Sequence, residues 1–417
     1  VELSASVDEA FIDNISNYIT GSFEYVLAEG PLWLTVGADG LISGTPPEDA
    51  VGSNGFDILL TSGGTVQHVL ALTISVALDG VLMVDTNLDD DDTAAAQAEL
   101  DGAGGVPGAL GVLHDADGFS LREAIWLAGV VGGEDFIRFD QQASTWQSDT
   151  ILLSTQLLIS SSMEINGGDG VSINAGAQGF RVLEVDGGGA GADLDVVLKN
   201  LTVENGRIDK STGRVDGAGI FNKENLRLVE CMVRGNATTG GNANWAYGMG
   251  INNKGGTLHL ERCRVTGNFG TLNRSVGGGI YASDGGTVRL VDSVVADNYT
   301  IGGTRSDKPG VWIEGSSALV MLNSSITGNS AYEASDAPGL FISESASAIL
   351  ISSVIARNRI GSSTAGAQDL TGSATLHHCL VSDDLVFGSG LTDGGGNITG
   401  ASYASEVFDG SAENSGT

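Results

Sequence analysis

A repeat of about thirty residues dominates the second half of the chain, from Gly219 to Asp384. Five copies each end on an asparagine, and successive asparagines are 32, 30, 31 and 29 residues apart. A weaker copy follows, with Asp384 standing 26 residues after the last of them. Self-similarity at such a period predicts a solenoid of stacked coils. The five residues are Asn236, Asn268, Asn298, Asn329 and Asn358.

If one copy forms one coil, equivalent residues lie about 4.8 Å apart and form columns along the axis. Three residues before each asparagine is a β-branched residue, as an interior stack needs. The asparagine column is predicted to turn a corner and to hydrogen-bond from coil to coil, a structural role. A glycine column, beginning at Gly219, is predicted to form the opposite bend.

A further column, five residues before each asparagine, holds only cysteine or serine. This choice indicates that a small side chain is needed there, so we expect buried free thiols. A disulfide between Cys231 and Cys263 is the less favoured alternative, because residues in register on adjacent coils have poor disulfide geometry. The column is Cys231, Cys263, Ser293, Ser324, Ser353 and Cys379.

The composition predicts a mostly β protein, because glycine is abundant with 63 residues and aromatic residues make up only 6%. The formal net charge of −33 disfavours nucleic acid and anionic lipid as partners. No apolar run approaches the length of a transmembrane helix. The chain starts at Val1 without a signal-like segment, and we expect a mature processed chain or a fragment.

Residues 1–78 alternate apolar and polar positions over short runs, which predicts a small β-sandwich. The stretch PLWLTVGADGLISGTPPEDAVGSNGFDILLTSGG resembles putative-immunoglobulin and cadherin-like domains of bacterial surface proteins. That resemblance places Trp33 and Leu34 in the core and Gly44 and Pro46 in turns. It implies a spacer or presentation module.

Residues 79–119 form an acidic link that is predicted to be a loop. Its carboxylates are ligands of the kind that Ca²⁺ prefers, although the complete EF-hand pattern is absent. Calcium is therefore the one cofactor hypothesis, against a solvated acidic loop. The candidate ligands are Asp89, Asp91, Asp115 and Asp117.

Residues 120–417 begin with SLREAI, in which Ser120 and Glu123 have the spacing of a capping box and predict a short helix. SLREAI, then FIRFD, ILLSTQLLI, MEINGG and LTVENGR before the Gly–Asn repeats, resembles the CSLREAI-type family of bacterial secreted right-handed parallel β-helix proteins. The repeats also resemble those of polymorphic outer-membrane proteins. Phe119 stands where that family has its leading cysteine. The expected fold is all-β: an Ig/cadherin-like β-sandwich followed by a right-handed parallel β-helix with an N-terminal capping helix.

One outward column is basic, with Arg227, His259 and Arg289 in successive copies. Two guanidiniums beside an imidazole would keep it neutral and able to remove a proton α to a uronate carboxylate. This supports an alternative hypothesis of a polysaccharide lyase or hydrolase acting on an acidic glycan. The competing interpretation is a surface ladder, because Glu230, Arg262 and Asp292 alternate in sign nearby.

The loops that follow the asparagine column carry aromatic residues and arginines, and we expect them on one face. Loops on a rigid scaffold commonly carry binding, and aromatic rings with polar neighbours suit sugars or a partner protein. The alternative is that the loops only cover the β-helix. The candidate ligand-binding residues are Trp245, Tyr247, Phe269, Arg274, Tyr299, Arg305 and Tyr332.

The ends of a β-helix expose unpaired backbone, so self-association into a homo-oligomer or filament is a further prediction. The C-terminal tail could be a final coil, a cap or a strand donated to a neighbour. The leading functional hypothesis is a secreted, non-enzymatic cell-surface protein, extracellular or on a bacterial surface. It would act in adhesion, glycan binding or self-assembly.

Overall fold

A computed structural model of the chain divides into two compact units, Val1–Thr86 with Asp90–Gln147 and Asn87–Asp89 with Ser148–Thr417. No helix among the described residues is long and apolar enough to cross a membrane. The structure describes residues 3–6, 11–19, 21–46, 52–63, 65–77, 81–101, 109, 112–113, 116–131, 135–189, 193–210, 214–240, 245–271, 274–301, 308–332, 339–361, 369–382 and 390–400.

The first unit opens with two small sheets that are mostly antiparallel. The exception is the larger sheet's pair of Leu3–Ser6 and Thr65–Ala77, which is parallel. Alternation places Ile42, Ile58 and Ile74 inside at 0% exposure. The larger sheet contains Leu3–Ser6, Thr65–Ala77, Gly52–Ser62 and Glu24–Glu29, the smaller one Phe11–Asn14, Leu41–Gly44 and Leu34–Val36, and a 3₁₀ helix spans Ile15–Asn17.

The acidic link is not the loop that its composition predicted. Strand Val81–Val84 pairs in parallel with Asp135–Phe139, and helix α1 spans Thr93–Asp101. Helix α1 forms because its sequence, TAAAQAELD, is rich in alanine, the strongest helix former. The acidic residues around it had suggested a loop.

Helix α2, Leu121–Val131, starts where the capping box predicted. The Glu123 backbone N–H donates to Ser120 Oγ at 3.3 Å, and the Ser120 N–H donates to Glu123 Oε2 at 2.8 Å. Two otherwise unpaired donors at the helix start are thereby satisfied. The apolar face of α2, which includes Leu121 and Leu127, is buried.

The second unit is a parallel β-solenoid of about seven turns. The strands of successive coils form a longest sheet, a second sheet and a third sheet. Within one repeat the chain leaves the longest sheet, turns the asparagine corner into the third sheet, and then enters the second sheet. The longest sheet contains Thr150–Leu152, Met163–Asn174, Asp195–Glu204, Asn225–Val229, Met232–Arg234, Thr257–Glu261, Arg264–Thr266, Thr287–Val291, Val294–Ala296, Ala318–Leu322, Ser325–Thr327, Ser347–Ile351, Val354–Ala356, Ala374–His377, Leu380–Val381, Leu391–Asp393 and Ile398–Thr399.

The remaining solenoid strands form three narrower sheets with the same register from coil to coil. The second sheet contains Leu157–Ile159, Leu183–Val185, Ile220–Asn222, Ile251–Lys254, Ile280–Ser283, Val311–Ile313, Leu340–Ile342 and Leu370–Thr371. The third sheet contains Arg207–Lys210, Ala237–Gly240, Phe269–Gly270, Tyr299–Thr300, Ser330–Ala331 and Arg359–Ile360, and a short fourth sheet contains Arg214–Asp216, Trp245–Tyr247 and Arg274–Val276.

The core is a set of apolar columns that run along the solenoid axis. The column three residues before each asparagine is confirmed as interior, because its members are at most 1% exposed. Branched side chains stacked at the strand spacing pack against one another in the interior. These residues are Val233, Val265, Val295, Ile326 and Ile355, and Leu226, Leu258, Val288, Leu319 and Ala348 form a parallel column.

The asparagines form a continuous buried amide ladder. Each Nδ2 donates to Oδ1 of the next asparagine at 2.9 Å, from Asn236 to Asn358, and the ladder ends on the Asp369 carboxylate. The left-handed backbone, however, lies elsewhere than predicted. The residue before each asparagine has the positive φ, for example Gly267 at 64° and Asp297 at 55°. The asparagine amide instead satisfies backbone groups at the corner.

The glycine column lies at bends in the chain, as predicted, and space also requires a residue without a side chain there. A Cβ on Gly279 would lie 2.6 Å from Val295 Cγ1 and 2.9 Å from Asn298 Nδ2. The glycines therefore allow the second sheet to approach the amide ladder.

The cysteine–serine column forms a second ladder. The Cys263 backbone N–H donates to Ser293 Oγ at 3.0 Å, and Ser293 Oγ donates to the Val291 carbonyl at 2.7 Å. The cysteines are free and buried.

Candidate functional site

A cleft of about 560 Å³ opens on the outer face of the third sheet, which we call the tyrosine cleft. Side chains at alternate positions of a strand share one face. Three successive coils therefore contribute two outward positions each, while Thr300 and Ala331 between them are buried. The outward residues of the cleft are Tyr299, Ile301, Ser330, Tyr332, Arg359 and Gly361.

One wall of the tyrosine cleft is the end of an aromatic stack. Phe269 and Tyr299 are in register, with ring centroids 4.9 Å apart and ring planes inclined by 2°. The next residue of that column is Ser330, whose side chain is too small to continue the stack. Tyr299 makes no other ring contact within the described part of the chain, so one ring face borders the cleft. Burial raises the pKa of the Tyr299 phenol, which therefore stays protonated at neutral pH.

The opposite sides of the cleft are Tyr332 and Arg359. Tyr332 is 62% exposed, and the space beside it is open because Gly361 follows it in the same column. Arg359 continues the Tyr299 and Ser330 column. The cleft thus combines aromatic surface with two phenolic hydroxyls and one guanidinium.

Trp245 and Tyr247, two further candidates, lie in a different aromatic group. Their rings stack on each other at 5.8 Å, and Arg214 covers Tyr247 with its guanidinium carbon 4.1 Å from the ring centre. Tyr247 also packs on Tyr281, at 4.8 Å between centroids. Neighbouring side chains therefore occupy the faces of these rings, and the group packs against Tyr281 of the second sheet.

The structure does not describe the side chains of the two candidate arginines. Arg274 lies in strand Arg274–Val276, but its side chain is outside the described part, and all of Arg305 is outside it.

The basic column is assembled as the repeat register predicted. Arg227, His259 and Arg289 lie directly opposite one another on successive strands of the longest sheet. Burial first, and then the two guanidiniums, lower the pKa of His259, while Glu261 acts in the opposite direction. Its Nε2 atom is buried and has no hydrogen-bond partner among the described residues. The imidazole is therefore neutral near pH 7.

Carboxylates of the protein form ion pairs with arginines on the same surface. Arg227 Nη2 donates to Glu261 Oε2 at 2.6 Å, and Arg262 Nε donates to Glu230 Oε1 at 2.8 Å. These are ion pairs between adjacent coils, as the surface-ladder interpretation requires. A substrate carboxylate would have to displace Glu261 from Arg227.

The predicted calcium ligands do not converge among the described residues. Asp89 Oδ2 accepts from the backbone N–H of Ser154 at 2.6 Å, and Asp91 Oδ1 accepts from Thr93 at 2.5 Å. Asp117 lies in a turn, and Asp115 is outside the described residues.

A different acidic group does come together, formed by Asp90, Asp92 and Glu123, with ligand atoms within 4.8 Å of one another. Both oxygens of Glu123 already accept backbone N–H groups, from Ser120 and Asp92. Burial raises the pKa of Glu123. The arrangement favours a helix cap, and calcium stays a prediction.

Sequence reasoning missed Ser330 and Arg359 as members of the site. The signal was the column one residue after each asparagine, which contains Phe269, Tyr299, Ser330 and Arg359 in order. Aligning that column shows where the aromatic stack stops and a cation begins.

No family model, curated protein or solved structure matches the chain.

Proposed function

We propose that the protein is a non-enzymatic glycan-binding protein of the cell surface or extracellular space, and that the tyrosine cleft is its binding site. The observation that carries the proposal is the stacked pair of Phe269 and Tyr299, which ends on an open ring face above Ser330. A pyranose ring has an apolar C–H face, and it would occupy the next position in this stack.

The shape and rigidity of the cleft support this proposal. A volume of about 560 Å³ falls within the roughly 300–1,000 Å³ typical of small-molecule sites. The tyrosines lie at the ends of short strands whose register is set by the amide ladder. Tyr299 is already held against Phe269, so little of its side-chain freedom is lost on binding, which favours affinity. The phenolic hydroxyls of Tyr299 and Tyr332 would supply hydrogen bonds to sugar hydroxyls.

The rest of the molecule suits display of such a site. We propose that the antiparallel sheets of the first unit are an Ig/cadherin-like spacer. We also propose that the solenoid is a right-handed β-helix related to the CSLREAI-type secreted proteins. Both proposals, and the extracellular location, rest on the sequence motifs described above.

The proposal is tested by titrating the full chain with a panel of neutral and acidic oligosaccharides and measuring the affinities by isothermal calorimetry. Tyr299→Ala removes the ring that the sugar would stack on and should weaken binding about tenfold, since aromatic contacts contribute about 0.5–1.5 kcal/mol beyond area burial. Tyr18→Ala is a matched control, because Tyr18 is 53% exposed in the first unit. Equal affinities of the two variants would contradict the proposal.

The neutral imidazole of His259 favours a second candidate, a polysaccharide lyase. Its test is incubation with alginate, pectate and chondroitin while the absorbance of unsaturated product is followed. Product that is formed by the wild type and abolished by His259→Ala would establish an enzyme. The ion pair between Arg227 and Glu261 leads us to expect no product.

A further inference from the structure

The tyrosine cleft contains a cation that no residue in the described part of the chain neutralises. Arg359 makes no ion pair and no side-chain hydrogen bond with the described residues, although the chain has a net charge of −33. Arg264 and Arg289 are likewise without an ion pair among those residues, but neither lines the cleft. Most other described arginines of the solenoid bind carboxylates: Arg181, Arg207, Arg214, Arg227, Arg234 and Arg262.

Arg359 stands at a defined distance from the stacking surface. It is two coils from Tyr299 in the same column, which corresponds to roughly 10 Å between Cα atoms at the usual strand spacing. Ser330 lies between them and fills little of that gap. A sugar ring stacked on Tyr299 would therefore lie above Ser330, between Tyr299 and Arg359. A substituent on the side of the sugar away from Tyr299 would face the Arg359 guanidinium.

From this geometry we infer that the tyrosine cleft is selective for a carboxylate-bearing sugar, with Arg359 binding the carboxylate. The inference rests on the proposed glycan-binding function and specifies the ligand class of the same site. Arginine presents a planar fork of donors that matches a carboxylate with two parallel hydrogen bonds.

The charge of the whole molecule narrows the ligand further. A net charge of −33 repels a continuous polyanion, whereas a single carboxylate feels mainly the nearby guanidinium. Salt screens the long-range repulsion over about 10 Å at 0.1 M. The expected ligand is an acidic sugar flanked by neutral sugars rather than a homopolymer of uronic acid.

The test compares pairs of ligands that differ at one group. Probes are xylo-oligosaccharides and galactan oligosaccharides that carry one uronic acid, each beside the same compound after reduction of its carboxyl group to a primary alcohol. Affinities are measured by calorimetry with the full chain at one fixed salt concentration. The wild type should bind each acidic compound at least tenfold more tightly than its reduced partner.

The variants assign that preference to Arg359. Arg359→Gln should bind both members of a pair equally, with the affinity of the wild type for the reduced compound, and Arg359→Lys should recover part of the preference. Arg264→Gln is the matched control and should keep the full ratio, because Arg264 is also exposed but belongs to the longest sheet and does not line the cleft. Urea midpoints of all variants should equal that of the wild type, since Arg359 is exposed.

Two outcomes would overturn the inference while leaving glycan binding intact. One is equal wild-type affinity for acidic and reduced compounds, and the other is an acidic preference that survives in Arg359→Gln. Failure of the wild type to bind any of the compounds would contradict the proposed function and this inference together.

Discussion

Removing one rung of the amide ladder should cost far more stability than removing an asparagine from the surface. Asn298 is 0% exposed. Its Oδ1 accepts from the backbone N–H and the Nδ2 of Asn268, at 3.0 and 2.9 Å. Its Nδ2 donates to Asn329 Oδ1 at 2.9 Å and to the Val265 carbonyl at 3.1 Å. Asn298→Ala deletes all these bonds and leaves the Asn268 N–H buried without an acceptor.

The magnitude follows from those contacts. An orphaned buried donor costs about 1–3 kcal/mol, and each of the other lost bonds about 1 kcal/mol. The sum is about 4–6 kcal/mol, measured as the change in the free energy of unfolding by urea titration with far-UV circular dichroism. Since each coil contacts only its neighbours, the transition should also broaden as the two halves of the solenoid uncouple.

Asn225→Ala is the matched control, because Asn225 is only partly buried and its amide bonds Asp195 at the surface. It should change stability by no more than about 0.5 kcal/mol. Similar losses in Asn298→Ala and Asn225→Ala would refute the structural role given to the ladder.

Three further perturbations probe other parts of the molecule. Gly279→Ala should destabilise the solenoid by about 1–3 kcal/mol in urea, because its Cβ would press on Val295 and the ladder; Gly189→Ala, which meets no atom closer than 3.7 Å, should be neutral. Cys231 should react with a thiol reagent only on unfolding, because its hydrogen bond with Cys263 and its burial raise the pKa of the thiol; rapid native reaction would contradict this. The raised pKa of Glu123 means that the folded state holds its proton more tightly than the unfolded state, so its contribution to stability falls as the pH rises above 4.5. Glu123→Gln should remove that decline, which urea midpoints across the pH range would detect.

The solenoid was predictable because its information is periodic. Once Asn236 and Asn268 were aligned, the interior position of Val233 and the small-residue requirement at Cys231 followed from the register alone. The Ser120 capping box likewise specified where α2 begins, because its residues are adjacent in sequence.

What escaped prediction depends on backbone angles and on distances between columns. The asparagines were expected to adopt left-handed angles, but the residue before each one does so, as at Asp297. The glycines were expected at bends and lie there, but the pattern did not show that Gly279 is also needed for close approach to Asn298. Neither distinction is visible in a pattern of residue types.

The candidate site was only partly predictable for the same reason. Tyr299 and Tyr332 were identified from their loops, and the structure places both in the cleft. Arg359 was overlooked because its importance comes from the lack of a carboxylate partner among the residues that the structure describes, which only the packed surface shows.

The central claim is that the open face of Tyr299 receives a sugar. Its most direct test is a crystal structure of the full chain with the oligosaccharide that binds most tightly in calorimetry. We predict a pyranose ring parallel to the Tyr299 ring, above Ser330, with its carboxylate on the Arg359 guanidinium. A sugar bound at any other surface, with the tyrosine cleft empty, would contradict the account.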